Sequence, residues 1–207
     1  MTTVSIPFTS YAESIPEALD RIGAAEICAR QTHILIKPNL INADPHPVTT
    51  PVACCEAIVH YIQACSDAAI VIAEGCGIPE MTTDDVFAQL GYHGLSRRLG
   101  VQLVDLNTAP VREMTNPGGV NHPTMMLPEI ALSHFLISVP VLKAHSLADI
   151  TGTLKNMMGL LPPEHYGRKD SAWRKADFHA DLHRNIGELN ACRTPDLTIM
   201  DASVGLA

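Results

Sequence analysis

The sequence predicts a three-layer α/β fold built on a mostly parallel, doubly wound, Rossmann-like sheet. Short apolar runs of strand length alternate along the chain with longer segments whose apolar residues recur at helical spacing. The short runs are apolar throughout, which is typical of parallel strands covered by helices on both faces. Because 207 residues suffice for one such sheet and no repeat or linker interrupts them, we predict a single α/β domain over residues 1–207.

The clearest prediction is a strand–helix–strand unit near the N-terminus. An apolar run rich in branched residues predicts a buried strand over about 32–37. Thr49 or Thr50 then supplies an N-cap, Pro51 is the proline at the first helical position, and the apolar stripe of the helix continues to about Cys65. The next apolar run predicts a second strand over 68–74, so the two strands should lie parallel with the helix between them.

The remaining elements continue this alternation. In chain order we predict a helix over 83–91, a strand over 101–105, an exposed hairpin or excursion over 110–127, a short helix after Pro128, a strand over 135–139, a helical stretch over 151–160, a surface loop over 161–177, a helix over 179–191 and a last strand over 196–201.

Composition disfavours several classes of function. Lys and Arg number 14 against 22 Asp and Glu, a formal net charge of −8, so we expect no binding to nucleic acid or to an anionic membrane. No apolar run approaches the roughly 20 residues of a membrane span, and the N-terminus carries no export signal, so we expect a soluble, cytoplasmic protein. The serine-hydrolase elbow G-x-S-x-G and the dinucleotide fingerprint G-x-G-x-x-G are both missing from the sequence.

The six cysteines carry no metal-binding pattern. They contain no C-x-x-C pair, which disfavours a zinc knuckle, a thioredoxin motif and the cysteine run of a ferredoxin. Cys54 and Cys65 share the apolar stripe of one predicted helix, and we expect both to be buried. Cys76 lies between two glycines after a strand, and we favour an inert thiol there as well.

Polar and ionisable residues collect where the predicted strands end. The carboxyl ends of parallel strands meet at one edge of a sheet, which is where open α/β sheets bind ligands. Lysine at such positions suits phosphate or carboxylate groups, so we expect a site for an anionic small molecule. The strand ends carry Lys37 and Asn39, Glu74, Asp105, Lys143 and His145, and Asp201.

Three lysines are candidate anion binders, namely Lys37, Lys143 and Lys155. Lys155 lies in the run 151–159, whose start can offer backbone amides to an anion. His145 follows Lys143 by two residues, so the lysine charge should lower its pKa, and we predict that His145 acts as an acid or base beside Lys143.

The acidic residues leave two alternatives open. Glu74, Asp105 and Asp201 could face one crevice and hold a divalent metal, or they could pair with the lysines without a metal. His179 and His183 have the i, i+4 spacing of a zinc site, but Ala180 stands where the zinc-protease motif requires glutamate, which favours a solvated helix face.

Six motifs together resemble the domain of unknown function 362 family over about residues 15–201. They are Ile36-Lys-Pro-Asn-Leu40, Thr49-Thr-Pro51, Ala73-Glu-Gly-Cys-Gly77, Val139-Pro-Val-Leu-Lys-Ala-His145, Thr151-Gly-Thr-Leu-Lys-Asn-Met-Met-Gly159 and Leu197-Thr-Ile-Met-Asp201. The resemblance implies a prokaryotic protein. It also implies a site made of Lys37, Asn39, Glu74, Lys143, His145, Lys155, Asn156 and Asp201.

The resemblance further implies a link to iron–sulfur redox metabolism, since many members carry an appended segment with two four-iron, four-sulfur clusters. The chain departs from the family pattern at the turn after the second strand, where Glu74-Gly-Cys-Gly77 replaces an Asp-Ser-Pro type of turn. Relatives also continue beyond the position of Ala207, so a truncated C-terminus is one expectation. An edge strand exposed in this way would favour a homo-oligomer.

Three hypotheses of function follow. The first is an enzyme that binds an anionic small molecule between the three lysines, with His145 as acid or base. The second is a non-catalytic subunit that docks an iron–sulfur protein or a ferredoxin segment. The third is a ligand or metal sensor that uses the three carboxylates.

Overall fold

The structure is a computed structural model that describes residues 2–168 and 174–206. Within these ranges the strands are β1 (His33–Pro38), β2 (Ala69–Glu74), β3 (Gln102–Asp105), β4 (Val111–Thr115), β5 (Thr124–Pro128), β6 (Phe135–Val139), β7 (Val141–His145), β8 (Asp149–Thr151), β9 (Leu197–Thr198) and β10 (Asp201–Leu206).

The helices of the same ranges are α1 (Tyr11–Arg21), α2 (Ala24–Cys28), α3 (Val52–Cys65), α4 (Thr83–Gln89), α5 (Tyr92–Leu99), α6 (Glu129–Ser133), α7 (Thr153–Asn156), α8 (Pro163–Tyr166) and α9 (Leu182–Cys192). A first 3-10 turn spans Met157–Leu160 and a second spans Ala176–His179. Among the described helices none has the length and apolar character needed to cross a lipid bilayer.

Five parallel strands form the main sheet in the order β3-β2-β1-β6-β9. The chain moves outward from β1 through β2 and β3, and later returns to the other side of β1 with β6. This reversal between β1 and β6 is the switch point of a doubly wound sheet, and the loops that leave the two strands diverge there. The arrangement confirms the predicted α/β class.

Alternate residues of the central strands pack into two separate cores, one on each face of the sheet. Ile34 and Ile36 of β1 are fully buried in a core with side chains from α1 to α5. Leu35 between them is also fully buried, but it packs with Met125 of β5 and with side chains of α6, α8 and α9. The molecule therefore has the three predicted layers.

The predicted strand–helix–strand unit is present with bounds that shift by one or two residues. β1 ends at Pro38, and α3 ends at the predicted Cys65. Pro51 is the N-cap of α3, with φ −68 and ψ 145, so the helix begins one residue later than the threonine cap predicted. The N-terminal helices α1 and α2 were not predicted.

The predicted helix over 83–91 is replaced by two helices, α4 and α5. Thr82 caps α4, because its hydroxyl accepts a hydrogen bond from the Asp85 amide at 3.1 Å while the Asp85 carboxylate accepts one from the Thr82 amide at 2.9 Å. Gly91 has φ 86, a left-handed conformation that suits glycine, so the chain changes direction before α5 begins.

The predicted hairpin over 110–127 is the antiparallel pair β4–β5, in which Val111 lies opposite Pro128. It is not an exposed excursion, since Met125 and Leu127 are buried in the second core. The short helix that we predicted after Pro128 is α6, and Pro128 is its N-cap.

The last predicted strand, over 196–201, is divided between two sheets. Only Leu197–Thr198 joins the main sheet, as β9, while Asp201 begins β10 of a small sheet ordered β10-β7-β8. Pro140 separates β6 from β7 and has no N–H for a strand ladder, and its carbonyl accepts from the Asp201 amide at 2.9 Å. Asp201 therefore begins a strand of the small sheet, whereas we predicted it at the end of a strand of the main sheet.

The prediction of a surface loop over 161–177 holds only in part for the described residues of that range, because exposed residues such as Glu164 and His165 alternate with buried ones. Leu161, Tyr166 and Lys175 have relative exposures of 0%, 5% and 5%. The Tyr166 ring packs on Phe178, and its hydroxyl accepts from the Met126 amide at 2.8 Å. Residues 169–173 of the prediction lie outside the described residues. The preceding stretch, predicted as helical over 151–160, is the end of β8, α7 and the first 3-10 turn.

We predict that Ile36→Ala lowers the free energy of unfolding by about 2–5 kcal/mol, because it leaves a cavity between the sheet and α3. Val120→Ala is the matched control, since Val120 is 70% exposed and should lose less than about 0.5 kcal/mol. Urea unfolding followed by circular dichroism measures both. Equal losses in the two variants would contradict the assignment of Ile36 to the core.

Candidate functional site

A buried ion pair lies at the carboxyl ends of β1 and β2. The Lys37 ammonium is fully buried and donates to Glu74 Oε2 at 2.6 Å, to the Pro38 carbonyl at 3.2 Å and to Asn156 Oδ1 at 3.3 Å. Burial lowers the pKa of Lys37, and the Glu74 carboxylate acts in the opposite direction. Lys37 was predicted to bind ligand directly, but in the structure it is fully buried and its ammonium donates to these three protein oxygens.

Asn156 joins the two strands at the switch point. Its amide nitrogen donates to Ser138 Oγ at 3.0 Å and to the Lys37 carbonyl at 3.3 Å, while its oxygen accepts from the Lys37 ammonium. Ser138 and Lys37 are register partners on β6 and β1. Asn156 was predicted to bind ligand, but it is 4% exposed and acts within the protein by holding α7, and with it Lys155, at the crevice.

Lys175 is a second buried lysine at this edge, and the sequence analysis missed it. Its ammonium donates to the carbonyls of Gly75 at 2.9 Å, Met158 at 3.1 Å and Gly159 at 3.2 Å. Burial lowers the pKa of Lys175 to about 7; Glu74 opposes this shift, and the charge of Lys37 adds to it. Nothing in the local sequence distinguishes a buried lysine from a surface one, because the burial depends on residues 16 and 100 positions away.

Two glycines allow these chains to approach closely. A Cβ on Gly159 would collide with the Glu74 carboxylate and would lie 2.5 Å from the Lys37 ammonium. A Cβ on Gly75 would lie 2.5 Å from both Asn107 Oδ1 and the Gly159 carbonyl. Such distances are below those of real Cβ contacts, so both positions require glycine.

Close to the ion pair lies a group of four basic side chains that act on one another's pKa values, which we name the basic cluster: Lys143, His145, Lys155 and His179. Burial lowers the pKa of Lys155 to about 8, and the charges of Lys143 and Lys37 contribute. Burial also lowers the pKa of His145, with further contributions from Lys155, His179 and Lys143. No described carboxylate is among the groups that shift the pKa values of Lys143, His145 and Lys155. Lys143 and Lys155 are therefore two neighbouring positive charges in a protein of net charge −8.

The hydrogen bonds of His145 decide which nitrogen carries its proton. Nδ1 accepts from the amides of Leu147 at 3.0 Å and Ala148 at 3.2 Å. Because an acceptor nitrogen cannot also hold a proton, the neutral ring carries its hydrogen on Nε2. His145 can thus donate a hydrogen bond to an anion from Nε2, but in this arrangement Nε2 is no base. The nearby Lys143 ammonium donates to the Val48 carbonyl.

Asn39, also predicted to bind ligand, is fixed in place by hydrogen bonds between its backbone and Thr50. Its amide donates to Thr50 Oγ1 at 2.8 Å, and its carbonyl accepts from the Thr50 amide at 3.0 Å. The side-chain oxygen is buried and has no hydrogen-bond partner among the described residues. This oxygen can accept from a hydroxyl group but offers nothing to an anion.

The three carboxylates predicted to bind metal are not brought together. Glu74 pairs with Lys37, which is the alternative of a lysine–carboxylate network. Asp105 accepts from Thr83 Oγ1 at 2.6 Å, and Asp201 accepts from the Tyr11 hydroxyl at 2.6 Å. Within residues 2–168 and 174–206 no three His, Cys, Asp or Glu side chains form a group that could hold a metal ion. The residues present therefore do not fit the predicted divalent cation.

The remaining histidine and cysteine predictions are resolved by position. His179 lies in the second 3-10 turn and His183 in α9, where it faces Asp149 at 3.8 Å, so the two do not share a helix face. The six cysteines are free thiols. Burial raises the pKa of Cys54, Cys55 and Cys76, so these thiols are poor nucleophiles and poor metal ligands.

Comparisons with known proteins identify a family and show similarity to solved structures. The family described as Domain of unknown function (DUF362) matches residues 34–207. No curated protein matched the chain. The structure of the lactate racemase apoprotein from Thermoanaerobacterium thermosaccharolyticum is similar, with a TM-score of 0.51 and 14% identity, over 97% of this chain and 51% of that one. At this identity the likeness concerns the fold alone, and the chain spans about half the length of that racemase.

We predict that Gly159→Ala destabilises the protein by about 1–3 kcal/mol, because the added methyl group must displace the Lys37–Glu74 pair. Gly187→Ala is the matched control. Gly187 lies inside α9 with no atom within 4 Å of an added Cβ, and alanine there should stabilise the helix by up to about 1 kcal/mol. Thermal and urea unfolding measure both changes. A neutral Gly159→Ala would contradict the close approach.

The free energy of unfolding should rise with pH between about pH 7 and pH 8.5. Lys175 and Lys155 have pKa values of about 7 and about 8, below their usual 10.5, so in this interval the unfolded chain binds more protons than the folded one. The slope is then positive, with an upper limit of about 1.4 kcal/mol per pH unit for each lysine.

Urea unfolding at several pH values measures this slope. Lys175→Met should reduce it, whereas Arg30→Met, which removes an exposed cation from the residues after α2, should not. The same slope in wild type and Lys175→Met would show that Lys175 is hydrated in the folded protein.

Proposed function

The chain belongs to the domain of unknown function family DUF362, and we propose that it binds a small organic anion at the basic cluster and catalyses a proton transfer on it. One observation carries the proposal. Lys143 and His145 of β7 lie close to Lys155 of α7, and no described carboxylate is among the charges that act on these three side chains. Two lysine charges close together repel one another, and a bound anion would remove that repulsion.

In this proposal the residues of the basic cluster have different roles in binding and in proton transfer. Lys143 and Lys155 supply the positive charge that attracts a carboxylate. His145 donates from Nε2 to a second oxygen of the ligand, as a neutral imidazole fixed by two backbone amides can. Lys155, with a pKa of about 8, exists in both protonation states near neutral pH, so its amine is the group of the cluster that can exchange a proton with the ligand.

The fold comparison supports the class of ligand. The similar structure is that of a lactate racemase, whose name specifies a 2-hydroxy acid as substrate. A 2-hydroxy or 2-oxo acid matches the donors of the cluster, since its carboxylate faces two lysines and its neighbouring oxygen faces His145. The partner-free buried oxygen of Asn39 is suited to a ligand hydroxyl.

Other expectations remain proposals. The link to iron–sulfur redox metabolism, through a partner protein or a ferredoxin segment, rests on the family resemblance alone, and the described cysteines do not fit a cluster. A cytoplasmic location and a homo-oligomer are further proposals of the same standing.

We predict that Lys155→Met and Lys143→Met each raise the Kd for pyruvate or lactate at least tenfold, which corresponds to about 1.4 kcal/mol of binding free energy. Arg30→Met removes an equal charge far from the cluster and should leave the Kd unchanged. Isothermal titration calorimetry measures the binding. In wild type the Kd should also increase from about pH 7 to pH 9, because Lys155 loses its charge through its pKa of about 8.

Catalysis has a separate readout. In D2O Lys143 would hold the carboxylate while the neutral form of Lys155, which is present near its pKa of about 8, would take a proton from C3 of pyruvate. The enolate oxygen would accept from His145 Nε2, and a deuteron from the exchanged Lys155 ammonium would return to C3. In wild type, proton NMR then records a loss of the pyruvate methyl signal. In Lys155→Met we expect the methyl signal to persist. Binding without exchange would reject the catalytic part of the proposal, and no binding by wild type would reject all of it.

A further inference from the structure

The described residues 174–179 return across the carboxyl edge of the sheet and are fastened there by two adjacent cations. Arg174 donates to the carbonyls of Pro79 at 3.2 Å and Met81 at 2.7 Å. Lys175 donates to three other carbonyls, which belong to the turn after β2 and to the first 3-10 turn. The two cations thus bind different segments, and only Lys175 reaches the chain that follows Lys155.

Both the side chain and the backbone carbonyl of Lys175 form hydrogen bonds with segments that carry residues of the basic cluster. Its side chain donates to the carbonyls of Met158 and Gly159, which are three and four residues after Lys155 in the sequence. Its backbone carbonyl lies 3.0 Å from His179 Nδ1. Since a carbonyl can only accept, that nitrogen carries the hydrogen, and in the neutral ring Nε2 is the acceptor nitrogen. His179 therefore has the opposite tautomer to His145.

Stability alone does not account for a lysine at this position. The ammonium donates to three carbonyl oxygens and the residue is only 5% exposed, and among residues 2–168 and 174–206 no carboxylate accepts a hydrogen bond from it. Burying such a charge is costly, and an apolar residue of similar length often serves the folding free energy as well or better. Three directed hydrogen bonds do, however, fix the separation of the segments they join.

We propose that Lys175 is the positioning residue of the candidate site, which joins the turn after β2, the first 3-10 turn and His179 into one unit and so sets where Lys155 and His179 stand in the basic cluster. Only the ligand-binding consequence of this inference rests on the proposed function. The geometric consequence concerns the environment of Lys155 and holds whatever the ligand is.

The test compares Lys175→Met, Lys175→Arg and the neighbouring Arg174→Met in the full chain. Competitive labelling of the Lys155 amine with acetic anhydride, followed by mass spectrometry across pH, measures the pKa of Lys155. Calorimetry with pyruvate measures binding. We expect Lys175→Met to move the pKa of Lys155 from about 8 toward 10.5, since the freed 3-10 turn admits water, and to raise the Kd at least tenfold. Lys175→Arg, which keeps donors for the carbonyls, should recover most of both.

Arg174→Met should leave the pKa of Lys155 near its wild-type value, because Arg174 does not contact the 3-10 turn. A folded Lys175→Met variant with an unchanged Lys155 pKa would overturn the inference, as would an equal shift in Arg174→Met. If Lys175→Met fails to fold, the arginine variant decides: a folded Lys175→Arg with a Lys155 pKa near 10.5 counts against positioning. If wild type binds no pyruvate, the proposed function fails while the labelling result still tests Lys175.

Discussion

The buried Lys37–Glu74 ion pair is the interaction on which this edge of the molecule depends. Both charged groups are removed from water, which costs free energy. Their attraction offsets this desolvation only while they stay 2.6 Å apart and their remaining donors and acceptors are hydrogen-bonded. The chain meets this requirement with Asn156 from one side and with the Gly75 amide, which donates to Glu74 Oε1 at 3.0 Å, from the other. The absence of a side chain at Gly159 lets the 3-10 turn close over the pair.

This arrangement separates two kinds of positive charge at the switch point. Lys37 and Lys175 are enclosed and hydrogen-bonded within the protein, so they define the geometry. Lys155 and His145 are only partly buried, and no described carboxylate is among the charges that shift their pKa values, so our proposal assigns them to the ligand. The enclosed lysines also act on the partly buried ones, because the charge of Lys37 contributes to the lowered pKa of Lys155. A residue that stabilises the sheet edge thus also changes the protonation of a neighbouring lysine.

Much of the fold could be predicted because its signals are local. The apolar runs of β1 and β2 and the stripe of α3 depend on neighbouring residues, and their bounds were close to those found. The division of the last strand could not be predicted, because Thr198 pairs with β6 while Asp201 pairs with β7 beyond Pro140. The partner of a strand is set by contacts between residues distant in sequence, and a run of branched residues does not indicate which strand it will pair with.

The sequence by itself determined which residue types stand at the strand ends of a doubly wound sheet, and this is the basis on which it predicted an anion site there. It could not rank the lysines, since a side chain's role depends on its burial and its hydrogen-bond partners. Only the tertiary structure decided that Lys37 is fully buried, that Lys155 is partly exposed, and that Lys175 is buried although its segment has the composition of a surface loop. The physical reason is that desolvation and hydrogen bonding are properties of the packed chain, and sequence neighbours do not set them.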